Sequence, residues 1–181
     1  MKNILKVWLP FVVVISAFCL LAYATVQQAL RQGLNDPQIQ MAWDAAYALD
    51  HGKTIEEVLP AEVIDMDRSL APFYIIFNAA EQPVAASGSL NDSLQTVPEG
   101  VLGYAKENGE NRLTWQPQQG TRIAAVIVPY KDGFVLAGRN MREVEVREDQ
   151  VFQFAGITWV LAMVATLVVI AFGEWFLKEK K

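Results

Sequence analysis

Apolar positions along this chain follow three different rhythms. From Val7 to Val26 they run nearly unbroken, with no charge between Lys6 and Arg31. A second such run extends from about Phe152 to Phe172, between Asp149 and Glu174. Neither run has the polar face that a half-exposed surface helix needs. Twenty helical residues at about 1.5 Å each cover about 30 Å, the thickness of a bilayer core. The 119 residues from Arg31 to Asp149 are too few to surround two such rods inside a soluble core. The pattern therefore predicts membrane-spanning helices at residues 7–27 and 151–173. Trp8, Tyr23 and Trp175 sit near their ends, where amphipathic rings favour the membrane interface.

Between the spans the rhythm becomes helical, then extended. Asn35-Asp36-Pro37 predicts a helix restart, with Asp36 as N-cap and Pro37 in the first turn. Ile39, Trp43, Ala46, Tyr47 and Leu49 recur at three-and-four spacing, and Gly52 after His51 can close that helix. Thr54-Ile55-Glu56-Glu57 has the form of a capping box and predicts a short helix ending near Leu59-Pro60. Phe73–Phe77 then reads as a strand, with a turn at 79–82 and a second strand over Val84–Ser87. A short helix is expected from Pro98 to Glu107, closed by Asn108-Gly109. Three strands follow, Arg112–Gln116, Arg122–Val128 and Phe134–Gly138, joined by tight turns into an antiparallel meander.

This order defines one α+β domain over residues 28–150, with a five-stranded antiparallel sheet and long N- and C-terminal helices. Residues 27–34 and 141–151 read as continuations of the two spans. Alternation puts Arg122, Ala124, Val126 and Val128 on one face of their strand and Thr121, Ile123, Ala125 and Ile127 on the other. Both faces are mostly apolar, so the sheet is expected to be covered on both sides.

The element order resembles the extracytoplasmic PAS-like sensor domains called Cache domains, which lie between two membrane spans in bacterial receptors. The likeness covers about residues 28–150 and both spans. It rests on that order and on Phe73-Tyr74-Ile75-Ile76-Phe77-Asn78 leading to Gln82-Pro83-Val84-Ala85-Ala86-Ser87-Gly88. In such domains a ligand lies between the sheet and the segments crossing its face. The resemblance thus implies Tyr74, Phe77, Trp115, Arg122 and Arg139 as lining residues. The arginines would suit a carboxylate, and Trp115 would suit an aromatic ring or an amine. Ordinary core packing for the aromatics, and local carboxylate partners for the arginines, are the competing reading. The chain departs from the receptors after the second span, where Glu174–Lys181 leaves no length for an output module.

Charge bears on topology and on partners. The segment from Arg31 to Asp149 has eighteen acidic and ten basic residues. Lys2 and Lys6 precede the first span, and Lys178, Lys180 and Lys181 follow the second. That favours cytoplasmic tails at 1–6 and 174–181 and an extracytoplasmic domain, although Arg31, Arg142 and Arg147 flank the spans on the other side. The first run has a rival reading as a cleaved signal peptide ending at Ala22-Tyr23-Ala24; its length and helix-compatible continuation favour a retained anchor. A lipoprotein site at Cys19 is disfavoured by the bulky Phe18 before it. As the lone cysteine, Cys19 permits no intramolecular disulfide. The acidic balance offers no basic stripe for nucleic acid.

Catalytic and metal chemistry find little support. The single histidine, His51, stands at a helix end, and no Gly-x-Ser-x-Gly turn is present. Asp65 and Asp67, with Glu62 upstream, could supply oxygen ligands for a hard cation, but no calcium-loop pattern follows and a surface loop is the better account of them. Asn91-Asp92-Ser93 matches the glycosylation triplet, which is common by chance. Val144 and Val151, seven apart, suggest a dimer seam of one heptad. No enzyme, cofactor or metal is expected. The sequence supports a membrane-anchored module that binds a small organic ligand, a carboxylate or an amine. It would act through a partner membrane protein or as a homodimer. The alternative is a non-enzymatic accessory subunit of an envelope complex.

Overall fold

The computed structural model describes residues 2–179; Met1 and the last two lysines of the basic tail, Lys180 and Lys181, lie outside them. Two compact units emerge, one from residues 1–30 and 146–181, the other from 31–145.

The first unit consists of two helix segments. Helix α1 runs from Lys2 to Asp50 and helix α4 from Arg142 to Glu179. Both are long and apolar enough to cross a membrane. Their large apolar side chains face outward all round: Leu9, Phe18 and Leu21 on α1, Phe154, Leu161 and Val169 on α4. A water-soluble unit would bury such a surface, whereas a lipid phase solvates it. The two segments are antiparallel and joined by polar groups. The Trp159 indole donates to Ser16 Oγ at 2.9 Å, and the Trp8 indole to the Met163 carbonyl and Thr166 Oγ1, both at 3.3 Å. Tyr23 meets Phe152 edge-on with ring centres 5.6 Å apart.

The second unit is α+β. Its five-stranded sheet comprises β2 (Phe73–Asn78), β3 (Pro83–Ala86), β5 (Asn111–Gln118), β6 (Thr121–Tyr130) and β7 (Gly133–Asn140), in the order β3-β2-β7-β6-β5. All four pairings are antiparallel. The N-terminal hairpin joins the meander by β2 lying along β7, with Phe73 opposite Gly138 and Asn78 opposite Gly133. A separate parallel pair, β1 (Ile64–Asp65) with β4 (Gly88–Ser89), crosses beside it. Two short helices complete the unit, α2 (Ile55–Val58) and α3 (Val101–Asn108). The Thr54/Glu57 capping box at the start of α2 is present in both directions. Gly52, at φ +89°, follows the end of α1.

Alternation along the strands divides the core as the apolar pattern requires. Phe73, Ile75, Phe77, Trp115, Ile123, Ala125, Ile127 and Leu136 pack with Leu102 and Ala105 of α3. The opposite face presents Ile76, Val126, Val128, Val135 and Ala137 to Ala42, Ala45 and Ala46 of α1, with α2 alongside. The sheet is covered on both faces.

Two expectations change, and one pair of strands is new. No new helix starts at Asp36: α1 continues through Asn35-Asp36-Pro37. Proline removes one hydrogen bond of the ladder, but the helical turns on both sides are already nucleated, so extending through the gap is cheaper than ending and restarting. Val144 is buried at 8% exposure, which leaves little of it to form a dimer seam. The parallel pair β1/β4 is absent from the sequence reading, because two-residue strands carry no period.

Candidate functional site

The five residues implied as a ligand lining do not converge. Phe77 and Trp115 belong to the α3 face of the sheet, where they are 0% and 5% exposed and packed in the core. Tyr74 belongs to the α1 face. Arg122 and Arg139 share that face by alternation with Val126 and Ala137. A single pocket on either face therefore excludes two or three of the five. Each arginine also has a partner within the chain. Arg122 Nη1 donates to Glu145 Oε1 at 2.6 Å, and Arg139 Nε to the Leu70 carbonyl at 2.8 Å. Burial, and then the Asp44 charge, push the Tyr74 phenol above its ordinary value, so this hydroxyl stays neutral and keeps its proton to donate.

No pattern along the chain points to one densely hydrogen-bonded feature. The loop after β1 is gripped by the end of β7 and the start of α4. Asn140 Nδ2 donates to the Met66 and Asp67 carbonyls at 2.9 and 3.2 Å. The Arg142 guanidinium donates to the Arg68 carbonyl at 3.0 Å and reaches the Asp67 carbonyl at 3.4 Å. Thr121 Oγ1 donates to Asp67 Oδ1 at 2.5 Å. With Arg139 on Leu70, this clamp ties residues 66–70 to the root of the helix that continues through the apolar segment. Its partners lie about seventy residues apart and most of its acceptors are backbone carbonyls, so no spacing motif could have revealed it.

Beside the clamp lies a polar cleft of about 330 Å³, with Asp65, Asp67, Ser89, Asn91, Asp92 and Gln118 on its walls. None of the five expected residues lines it. The two carboxylates noted in the sequence are engaged locally. Asp65 Oδ1 accepts from the Asp67 amide at 2.9 Å and its other oxygen lies 3.6 Å from Arg68 Nε, while Asp67 holds Thr121. Among the described residues no group of three histidine, cysteine or acidic side chains is placed to hold a metal. His51 is exposed, stacked on Tyr47 with ring centres 3.8 Å apart, and its Nδ1 lies 2.8 Å from the Tyr47 carbonyl.

A second polar centre joins α1 to β5. Trp43 Nε1 donates to Glu110 Oε2 at 2.7 Å, and Arg112 pairs with the same carboxylate. Burial raises the Glu110 pKa, but hydrogen bonds from Arg112 and Trp43, with the Arg112 charge, outweigh it and leave the group below its ordinary value near 4.5. A lowered folded pKa gives stability that is complete above the unfolded value and lost as pH falls through the folded one. Glu110→Gln is therefore expected to destabilise the chain at pH 7 by about 0.5–1.5 kcal/mol, discounted for the exposure of Arg112. The gap should narrow as pH falls through the lowered folded-state value, because the carboxylate then becomes neutral like the amide. Melting curves at pH 7 and along an acid series test this, and a gap that stays constant throughout would show that the charge contributes nothing.

Fold and site together define a class: a small α+β unit, built on a five-stranded antiparallel sheet, whose first and last helices are also the chain's two apolar helices. No family model matches the chain, and no curated protein matches it significantly.

Proposed function

We propose that this chain is a membrane-anchored extracytoplasmic sensor module with a PAS-like or Cache-like domain. It is a two-pass protein with both termini cytoplasmic. It binds a small organic carboxylate or amine, carries out no catalysis, and acts on a partner membrane protein or a second copy of itself. The observation that carries this reading is the clamp on residues 66–70. A shift of that loop pulls on Asn140 and Arg142, and Arg142 opens α4, which continues to Glu179. The indole bonds between α1 and α4 support a first span that is retained rather than cleaved.

The test is a thermal-shift screen of the full chain in nanodiscs against amino acids, carboxylic acids and amines. A ligand at about one hundred times its Kd adds about 2.7 kcal/mol to the folded state, which a melting curve resolves easily. Silence across all three classes would end the sensor reading. The second reading, an accessory subunit of an envelope complex, is favoured by one observation: Phe77 and Trp115, two of the implied lining residues, are packed into the core. Purification in mild detergent with a stoichiometric partner, together with a silent screen, would establish it.

A further inference from the structure

The α1 segment of the domain is held unequally along its length. Toward its end it is pinned by polar contacts: Trp43 to Glu110, and Asp50 Oδ1 accepting the Lys131 amide at 2.7 Å. Its apolar contact with the sheet is made largely by the methyl groups of Ala42, Ala45 and Ala46, with Ile39, Met41 and Leu49 only partly buried. The large aromatics of the segment, Trp43 and Tyr47, are 47% and 65% exposed and add little apolar burial. Gln38 stands one turn before Ala42 on the same stripe. It is 0% exposed, and among the described residues neither its Oε1 nor its Nε2 has a hydrogen-bond partner. A carboxamide buried in this way forfeits the hydrogen bonds it makes in water, and neighbouring alanines return little for the loss.

We infer that Gln38 is a built-in release point, at which the turn of α1 over residues 36–42 lifts from the sheet while Trp43 and Asp50 stay attached. Lifting re-exposes the amide to water and gives up only small apolar contacts, so this turn opens at a lower cost than the rest of the domain. No ligand enters the step, so a failed ligand screen leaves it standing.

Gln38→Met keeps the length and volume of the side chain and removes both orphan atoms; Gln38→Leu is the second variant should methionine pack poorly. Hydrogen exchange of the full chain in nanodiscs reads the outcome. The expected result is exchange slowed about tenfold across residues 36–42, with β6 and β7 unchanged. Unchanged or faster exchange in both variants would overturn the inference, because it would mean the amide has a partner in solution. Slowing spread equally over α1, β6 and β7 would also overturn it, because the segment would then open only with the whole domain.

Discussion

Gly133→Ala is expected to lower the melting temperature of the sheet domain by at least about 10 °C, as followed by circular dichroism of the chain in detergent. A Cβ at this position would lie 1.9 Å from the Phe77 carbonyl oxygen and 2.9 Å from two further backbone carbons. No side-chain rotation relieves a clash with backbone. Strands β2 and β7 would have to separate where Asn78 pairs with Gly133 and Phe77 with Phe134, the junction between hairpin and meander. A loss of about 3 kcal/mol is a large part of the 5–15 kcal/mol that holds a typical domain. Gly52→Ala supplies the contrast: φ is +89° there but nothing lies within 4 Å, so only the left-handed conformation is penalised, by about 1 kcal/mol. Similar effects from the two substitutions would mean that the close approach of β2 and β7 is not what requires glycine at 133.

Phe73→Ala should cost about 3–5 kcal/mol, the range for deleting a fully buried aromatic side chain. The ring is 1% exposed and lies against two glycines. A Cβ on Gly88 would come within 2.7 Å of it, and one on Gly138 within 2.6 Å. Because those neighbours have no side chains to move inward, the cavity stays open and the cost falls at the upper end. The same geometry predicts strong coupling. Gly138→Ala should destabilise the natural chain and cost much less beside Phe73→Ala, since the ring that blocks the methyl is gone and only the Ile123 Cγ2 contact at 3.0 Å remains. Equal and additive effects in denaturant unfolding would dispose of this account.

These two positions show why one aspect of the fold was legible and another was not. Phe73 heads an apolar run with obvious strand character, and the sequence alone supports its burial. That Gly133 and Gly138 must be glycine depends on β2 lying beside β7, a pairing across more than fifty residues that local periodicity does not encode. Asp36-Pro37 failed in the opposite direction: a sound local cap signal was overridden because the helix on both sides was already formed.

The candidate site divides in the same way. Strand parity places Arg122 and Arg139 on the face of Val126 and Ala137, and parity was readable. It does not say which face is filled, and here Phe77 and Trp115 occupy theirs completely. Nor does it assign partners. Glu145 for Arg122 and the Leu70 carbonyl for Arg139 come from elements that meet only when the sheet closes.

What the sequence by itself determined is the pair of apolar helices, the acidic α+β segment between them and the five strands. Each is encoded by residues adjacent along the chain, through length, period or turn chemistry. Only the tertiary structure decided the strand order, the clamp on residues 66–70, the burial of Val144 and the unpaired amide of Gln38. These depend on contacts between distant segments and often on backbone carbonyls, which every residue possesses and which therefore leave no mark in the sequence.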